Sequence, residues 1–139
     1  MSEIEAQFEK WHRNVDDSMR AELDELEQSP ESLQDAFYRE LSFGTAGLRG
    51  ILGAGPNRMN VYTVGKATQG FANYLNAHFR EPSVAIARDS RNRGEAFVKT
   101  CASVLAANGI KAYVYPEIEP TPALSFAVRH LGCAGGINI

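Results

Sequence analysis

Cysteine is scarce in this sequence: of 139 residues only Cys101 and Cys133 are cysteines, and neither lies in a CxxC or other metal-ligand spacing. A disulfide scaffold and a thiolate zinc site have no support, both thiols read as buried apolar side chains, and a cytoplasmic setting is expected. No apolar run approaches the roughly 18 residues of a membrane span. The opening Met1-Ser2-Glu3-Ile4-Glu5 is acidic and has none of the ordered regions of a signal peptide, so no membrane partner is expected. Positive charge is not in excess, with 14 Lys and Arg against 17 Asp and Glu and a net charge of -3, which argues against nucleic acid as a partner. Charge blocks of the kind that keep a tail disordered are missing too. The P-loop and dinucleotide glycine fingerprints, the HExxH helix and the GxSxG elbow do not occur. His12, His78 and His130 stand far apart on predicted helices, so no metal set is expected.

What is present suits one globular domain, since 44% of the residues are hydrophobic. Ile4, Phe8, Trp11, Val15, Met19, Leu23 and Leu26 recur every three or four residues and predict one long amphipathic helix. Ser29-Pro30 ends it and starts a second, with Ser at the N-cap, Pro at the first helical position, and Leu33, Ala36, Phe37 and Leu41 inward. Between Phe43 and Pro56 five glycines signal sharp turns or close backbone approach. Thr63 is expected to cap a helix to about His78, with Val64, Ala67, Phe71, Leu75 and Phe79 inward.

An alternation follows. Val84-Ala85-Ile86-Ala87 reads as a strand, Gly94 to Asn108 as a helix closed by Gly109, and Ala112 to Tyr115 as a second strand. Pro120-Thr121-Pro122 opens a helix to about Leu131, and Gly136 to Ile139 forms a third strand. Two linked strand-helix-strand units imply a parallel sheet covered on both faces, whose ligand edge lies beyond the carboxyl ends of the strands. A chain ending flush with such a strand reads as a truncated one, and an open strand edge makes self-association a further expectation.

Two loops carry candidate chemistry. Arg88-Asp89-Ser90-Arg91-Asn92-Arg93 places three guanidinium groups and a carboxylate before a helix N-terminus, where anions are favoured. Asp89 could equally pair with one arginine to fix the loop. Phe43-Gly44-Thr45-Ala46-Gly47-Leu48-Arg49-Gly50 lets backbone N–H groups and one arginine converge on a small anion, or is simply a glycine-rich turn.

The 43–50 segment resembles the opening signature of the α-D-phosphohexomutases. Pro56-Asn57-Arg58-Met59-Asn60, the 88–91 loop, Thr121-Pro122 and the run Gly135-Gly136-Ile137-Asn138-Ile139 resemble further family motifs, so the resemblance spans about residues 37–139. It implies an α/β fold of three layers, α/β/α, with a mixed, mainly parallel sheet. Residues 1–41 would form an N-terminal helical extension and 42–139 the first domain. It also implies a phosphoserine loop immediately after Ile139, so that no catalytic residue and no metal ligand is expected within the chain. The phosphate-binding residues implied are Thr45, Arg49 and Arg91. The parent reaction would interconvert sugar 1-phosphate and 6-phosphate, or pentose 1- and 5-phosphates, through a bisphosphate intermediate. It would use Mg2+, a sugar bisphosphate activator and three further domains, and the 139 residues alone would bind no cofactor tightly and be inactive. Two other readings stand beside this one: a free-standing, non-catalytic phosphate-binding or interaction module, and a flavodoxin-like binder suggested by topology only.

Overall fold

A computed structural model describes residues 2–139, in two compact units, one up to Thr63 and one from Val64 to Ile139. The first unit contains α1 (Glu3–Asn14), α2 (Asp17–Glu27), α3 (Pro30–Phe37) and a two-stranded antiparallel ribbon, β1 (Phe43–Gly44) with β2 (Gly47–Leu48). α4 (Val61–His78) begins in its last residues. The second unit continues with β3 (Ser83–Ala87), α5 (Gly94–Ala107), β4 (Lys111–Val114), α6 (Thr121–His130) and β5 (Gly135–Asn138).

All seven residues of the N-terminal apolar stripe join one core, with Phe8, Val15, Met19 and Leu23 buried against Ala36, Phe37 and Ala54. Phe37 is the aromatic hub, meeting Phe8 and Trp11 edge-on at centroid distances of 5.7 and 6.1 Å. Burying a side chain such as Leu23 contributes about 1.5–3 kcal/mol. The single long helix expected there is two helices. Val15 and Asp16 are extended, and the Asp16 carboxylate caps α2 by accepting the Met19 N–H at 2.9 Å. Arg20 turns back to the free end of α1, donating to the carbonyls of His12 and Val15 at 3.0 and 2.8 Å. Cap and guanidinium together satisfy the backbone groups that an uninterrupted helix would have paired internally.

The start of α4 also differs from expectation. Asn60, not Thr63, is the cap: its Oδ1 accepts the N–H groups of Tyr62 and Thr63, while its own N–H donates to the Thr63 hydroxyl at 3.0 Å. This is a reciprocal capping box with threonine in the usual glutamate position. Phe79, expected inward, is 46% exposed because the helix has ended at His78.

In the second unit the sheet order is β4-β3-β5 with both pairings parallel, and antiparallel pairing is confined to the β1–β2 ribbon. Central β3 is a continuous apolar run with Val84 to Ala87 all buried, as a strand covered on both faces requires. Adjacent glycines of β5 mark the two coverings. A Cβ on Gly135 would lie 2.9 Å from the Phe71 ring on α4, and one on Gly136 would lie 2.9 Å from Val128 on α6. Successive strand residues face opposite sides, so α4 and α6 lie on opposite faces. α5 accompanies α4, since Thr68 donates to Cys101 Sγ at 3.2 Å and a Cβ on Gly65 would touch Thr100. The result is a three-layer α/β/α arrangement in which Gly109 (φ +72°) and Gly132 (φ +66°) turn the chain after α5 and α6. Among the described residues no helix is long and apolar enough to cross a membrane.

Candidate functional site

The glycine-rich signature of the first unit forms a small hairpin. Phe43 pairs with Leu48 and Gly44 with Gly47, leaving Thr45 and Ala46 as the two-residue tip. Gly47, at φ +114°, closes the turn in a conformation that side-chain-bearing residues rarely adopt. Thr45 and Arg49 are both exposed, and Arg49 makes no hydrogen bond or ion pair with any described residue. An unpaired guanidinium beside backbone freed by glycines suits bidentate binding of a phosphate.

Behind the hairpin the chain is anchored to α3. Asn57 donates its backbone N–H to the Ala36 carbonyl at 3.0 Å and its side-chain amide to the Asp35 carbonyl at 2.9 Å. Arg58, largely buried, forms an ion pair with Asp35 at 2.6 Å. Gly55 (φ +111°) passes so close to α3 that a Cβ there would lie 2.9 Å from the Ala36 carbonyl oxygen. Sequence reading singled out these residues only as part of a motif. Their use as anchors depends on α3, some twenty positions away, and no local signal announces it.

In the second unit the carboxyl edge of the sheet is held by backbone bonds. Ile139 donates to the Ala87 carbonyl at 2.9 Å and accepts from the Asp89 N–H at 3.0 Å, while Glu119 donates to the Arg88 carbonyl at 3.1 Å. The three strand ends are thus tied into one rim that includes the arginine loop.

Its three arginines differ. Arg88 is mostly buried and reaches Glu95 at 3.3 Å, with its stem beside Gly94. Arg93 holds the left-handed conformation (φ 63°) at the N-cap of α5. Arg91 is exposed, and Asp89 holds it twice, by an ion pair at 3.1 Å and by accepting its backbone N–H at 2.9 Å. The structural alternative for this loop, an aspartate fixing one arginine, is therefore present, and the arginine fixed is Arg91. Exposed ion pairs of this kind are worth about 0–1 kcal/mol, so an incoming anion competes readily with Asp89 for the guanidinium. Across the rim, the Asn138 amide donates to the Thr121 hydroxyl at 3.1 Å, ordering the start of α6. Thr45 and Arg49 belong to one unit and Arg91 to the other.

Among the described residues no group of three or more His, Cys, Asp or Glu could hold a metal ion. His12 reaches Asp24 at 2.8 Å, while His78 and His130 stack on Tyr74 and Phe126 of their own helices. Cys101 is buried, and burial pushes its thiol pKa up, partly offset by the Thr68 hydrogen bond. Cys133, expected to be buried, is only half-buried.

Residues 40–139 match the family described as phosphoglucomutase/phosphomannomutase, alpha/beta/alpha domain I. Among curated proteins the chain is similar to a phosphoglucomutase of Staphylococcus saprophyticus, 44% identical over 93% of this chain and 23% of that protein. It is similar also to those of Staphylococcus haemolyticus, 39% identical, and Staphylococcus aureus, 40% identical, each over 94% of this chain and 24% of the relative. The chain thus spans about a quarter of the length of these relatives. No solved structure matches it.

Proposed function

Because this chain belongs to the phosphoglucomutase/phosphomannomutase family and carries its α/β/α domain I, we propose that it works as the first domain of a cytoplasmic sugar-phosphate mutase that interconverts sugar 1-phosphate and 6-phosphate through a bisphosphate intermediate. In this reading residues 42–139 are the domain and 1–41 its helical extension. The observation that carries the proposal is the rim at Ile139: the backbone bonds to Ala87 and Asp89 fix the end of β5 beside the Arg91 loop. In the family the phosphoserine loop follows this strand.

Phosphoryl transfer demands charge neutralisation around the moving group more than covalent chemistry from the protein. Arg49 would supply a guanidinium with no competing carboxylate, the Thr45 hydroxyl and hairpin N–H groups would add donors, and Arg91 would exchange Asp89 for a phosphate oxygen. None of the three acts as nucleophile. Magnesium takes several hard oxygen ligands, and in this reading the three further domains supply them. The sugar bisphosphate activator and the sugar-reading residues are likewise assigned to three further domains. The 139 residues alone are accordingly expected to bind phosphate weakly and to lack turnover. The outer edges of β4 and β5 have no strand partner among the described residues, and self-association through one of them is part of the proposal.

The test is the product of the whole gene, assayed with magnesium and a hexose bisphosphate for conversion of sugar 1-phosphates to 6-phosphates, with pentose phosphates in parallel. Turnover that falls on Arg49→Ala supports the reading. A folded product that converts no hexose or pentose phosphate would sink it.

A further inference from the structure

The hairpin bearing Thr45 and Arg49 is exposed and its two strands are only two residues long, so something outside it must set where it points. The chain leaves it at Gly50 and is first gripped at Ile51, whose carbonyl accepts the Met59 N–H at 2.8 Å. Gly53 then donates to the Met59 carbonyl at 3.2 Å, and Leu52 and Met59 form an isolated bridge. The Met59 backbone therefore pairs with both Ile51 and Gly53, and Met59 is the neighbour of Asn60.

Asn60 is fully buried, and its side chain makes four hydrogen bonds, the full set a primary amide can use here. Its oxygen accepts the Tyr62 and Thr63 N–H groups at 3.0 and 2.9 Å, which caps α4. Its nitrogen donates to the carbonyls of Gly53 and Gly55 at 2.9 and 3.0 Å. The second pair has no bearing on the helix. It closes the loop 53–60 onto itself by tying Gly53 and Gly55 to Asn60, the residue that follows Met59.

We infer that Asn60 is a positioning residue for the proposed phosphate-binding hairpin: its amide N–H groups hold Gly53 and Gly55 so that Met59 can pin Ile51, two residues from Arg49. The inference rests on the phosphate reading given under Proposed function. Asparagine is needed because one planar group must accept on one side and donate on the other, and no other buried side chain of this size does both twice.

Asn60→Asp keeps the acceptor for α4 and removes both donors; should the aspartate fail to fold, Asn60→Ser keeps an N-cap acceptor without a buried charge and leaves a single hydroxyl donor on a shorter side chain in place of the two amide donors. In the 15N-labelled chain, amide exchange is followed at Gly53, Met59 and the body of α4. Inorganic phosphate is then titrated while the amides of Thr45 to Gly50 and of Ser90 to Arg93 are monitored. Loss of the two bonds is expected to speed exchange at Gly53 and Met59 by about five- to tenfold. Phosphate affinity at Thr45 to Gly50 falls by a similar factor, while the Ser90 to Arg93 response and α4 protection are unchanged. Unchanged exchange at Gly53 and Met59, or a loss spread evenly through α4, would make Asn60 a helix cap and overturn the inference. Absence of any phosphate response at Thr45 to Gly50 in the unsubstituted chain contradicts the phosphate reading itself, and is distinguished by the exchange rates, which do not depend on phosphate.

Discussion

The Tyr62 hydroxyl lies between two groups of Asp16, accepting its backbone N–H at 2.8 Å and donating to its carboxylate at 2.7 Å. It thereby clamps the break between α1 and α2. The carboxylate pKa is lowered, first by the Met19 N–H it accepts and then by the Tyr62 hydroxyl; the phenol pKa is raised, by burial first and then by the Asp16 hydrogen bond. A depressed carboxylate contributes stability above its unfolded pKa and loses it as pH falls through the folded value. A raised phenol contributes below its unfolded pKa and loses it as pH rises. Tyr62→Phe is therefore expected to lower the thermal midpoint near neutrality, and the gap from the unsubstituted chain should close below about pH 4 and above about pH 10. Melting curves across that range check it; a gap independent of pH would contradict the clamp.

Gly55 and Gly70 should respond oppositely to alanine. Gly55 combines φ +111° with an Ala36 carbonyl 2.9 Å from where a Cβ would sit, so Gly55→Ala should cost about 1–3 kcal/mol. Gly70 lies within α4 with nothing near its missing Cβ, so Gly70→Ala should gain about 0.5–1 kcal/mol. Urea denaturation measures both.

Arg49→Ala should be nearly silent in stability, within about 0.5 kcal/mol, because the side chain is exposed and pairs with no described residue. In the whole-gene product the same change is expected to cut kcat/KM by roughly 10²-fold, the usual cost of deleting one charge-stabilising donor. Equal effects on melting and turnover would indicate a structural arginine instead.

Thiol labelling should discriminate the two cysteines. Cys101 is 1% exposed and its thiol pKa is raised, whereas Cys133 is half-buried. A disulfide reagent at neutral pH is expected to modify Cys133 first and Cys101 only as the chain unfolds. Simultaneous labelling in native buffer would refute the packing of α5.

Much of this was legible beforehand, and what was not is non-local. The stripe from Ile4 to Leu26 names the first unit's core, because burial follows period whether or not the helix is continuous. The break at Asp16 was hidden because the period runs straight through it and its holder, Tyr62, is 46 positions away. The strand-helix alternation from Val84 onward read cleanly, since β3 is apolar throughout and Gly109 and Gly132 punctuate the helices. Composition also located both candidate loops. It could not say that Asp89 would hold Arg91, nor that Asn57, Arg58 and Asn60 are wired into backbone elsewhere.

The central claim, that β5 leads into the catalytic loop of a sugar-phosphate mutase, is tested most directly by reading the source transcript beyond the Ile139 codon. The account predicts a loop of the Thr-Ala-Ser-His-Asn-Pro type, with its serine a few residues past the rim formed by Ala87, Asp89 and Ile139. A stop codon there, or a continuing sequence with no serine in that loop, would contradict it and leave a phosphate-binding module as the better description.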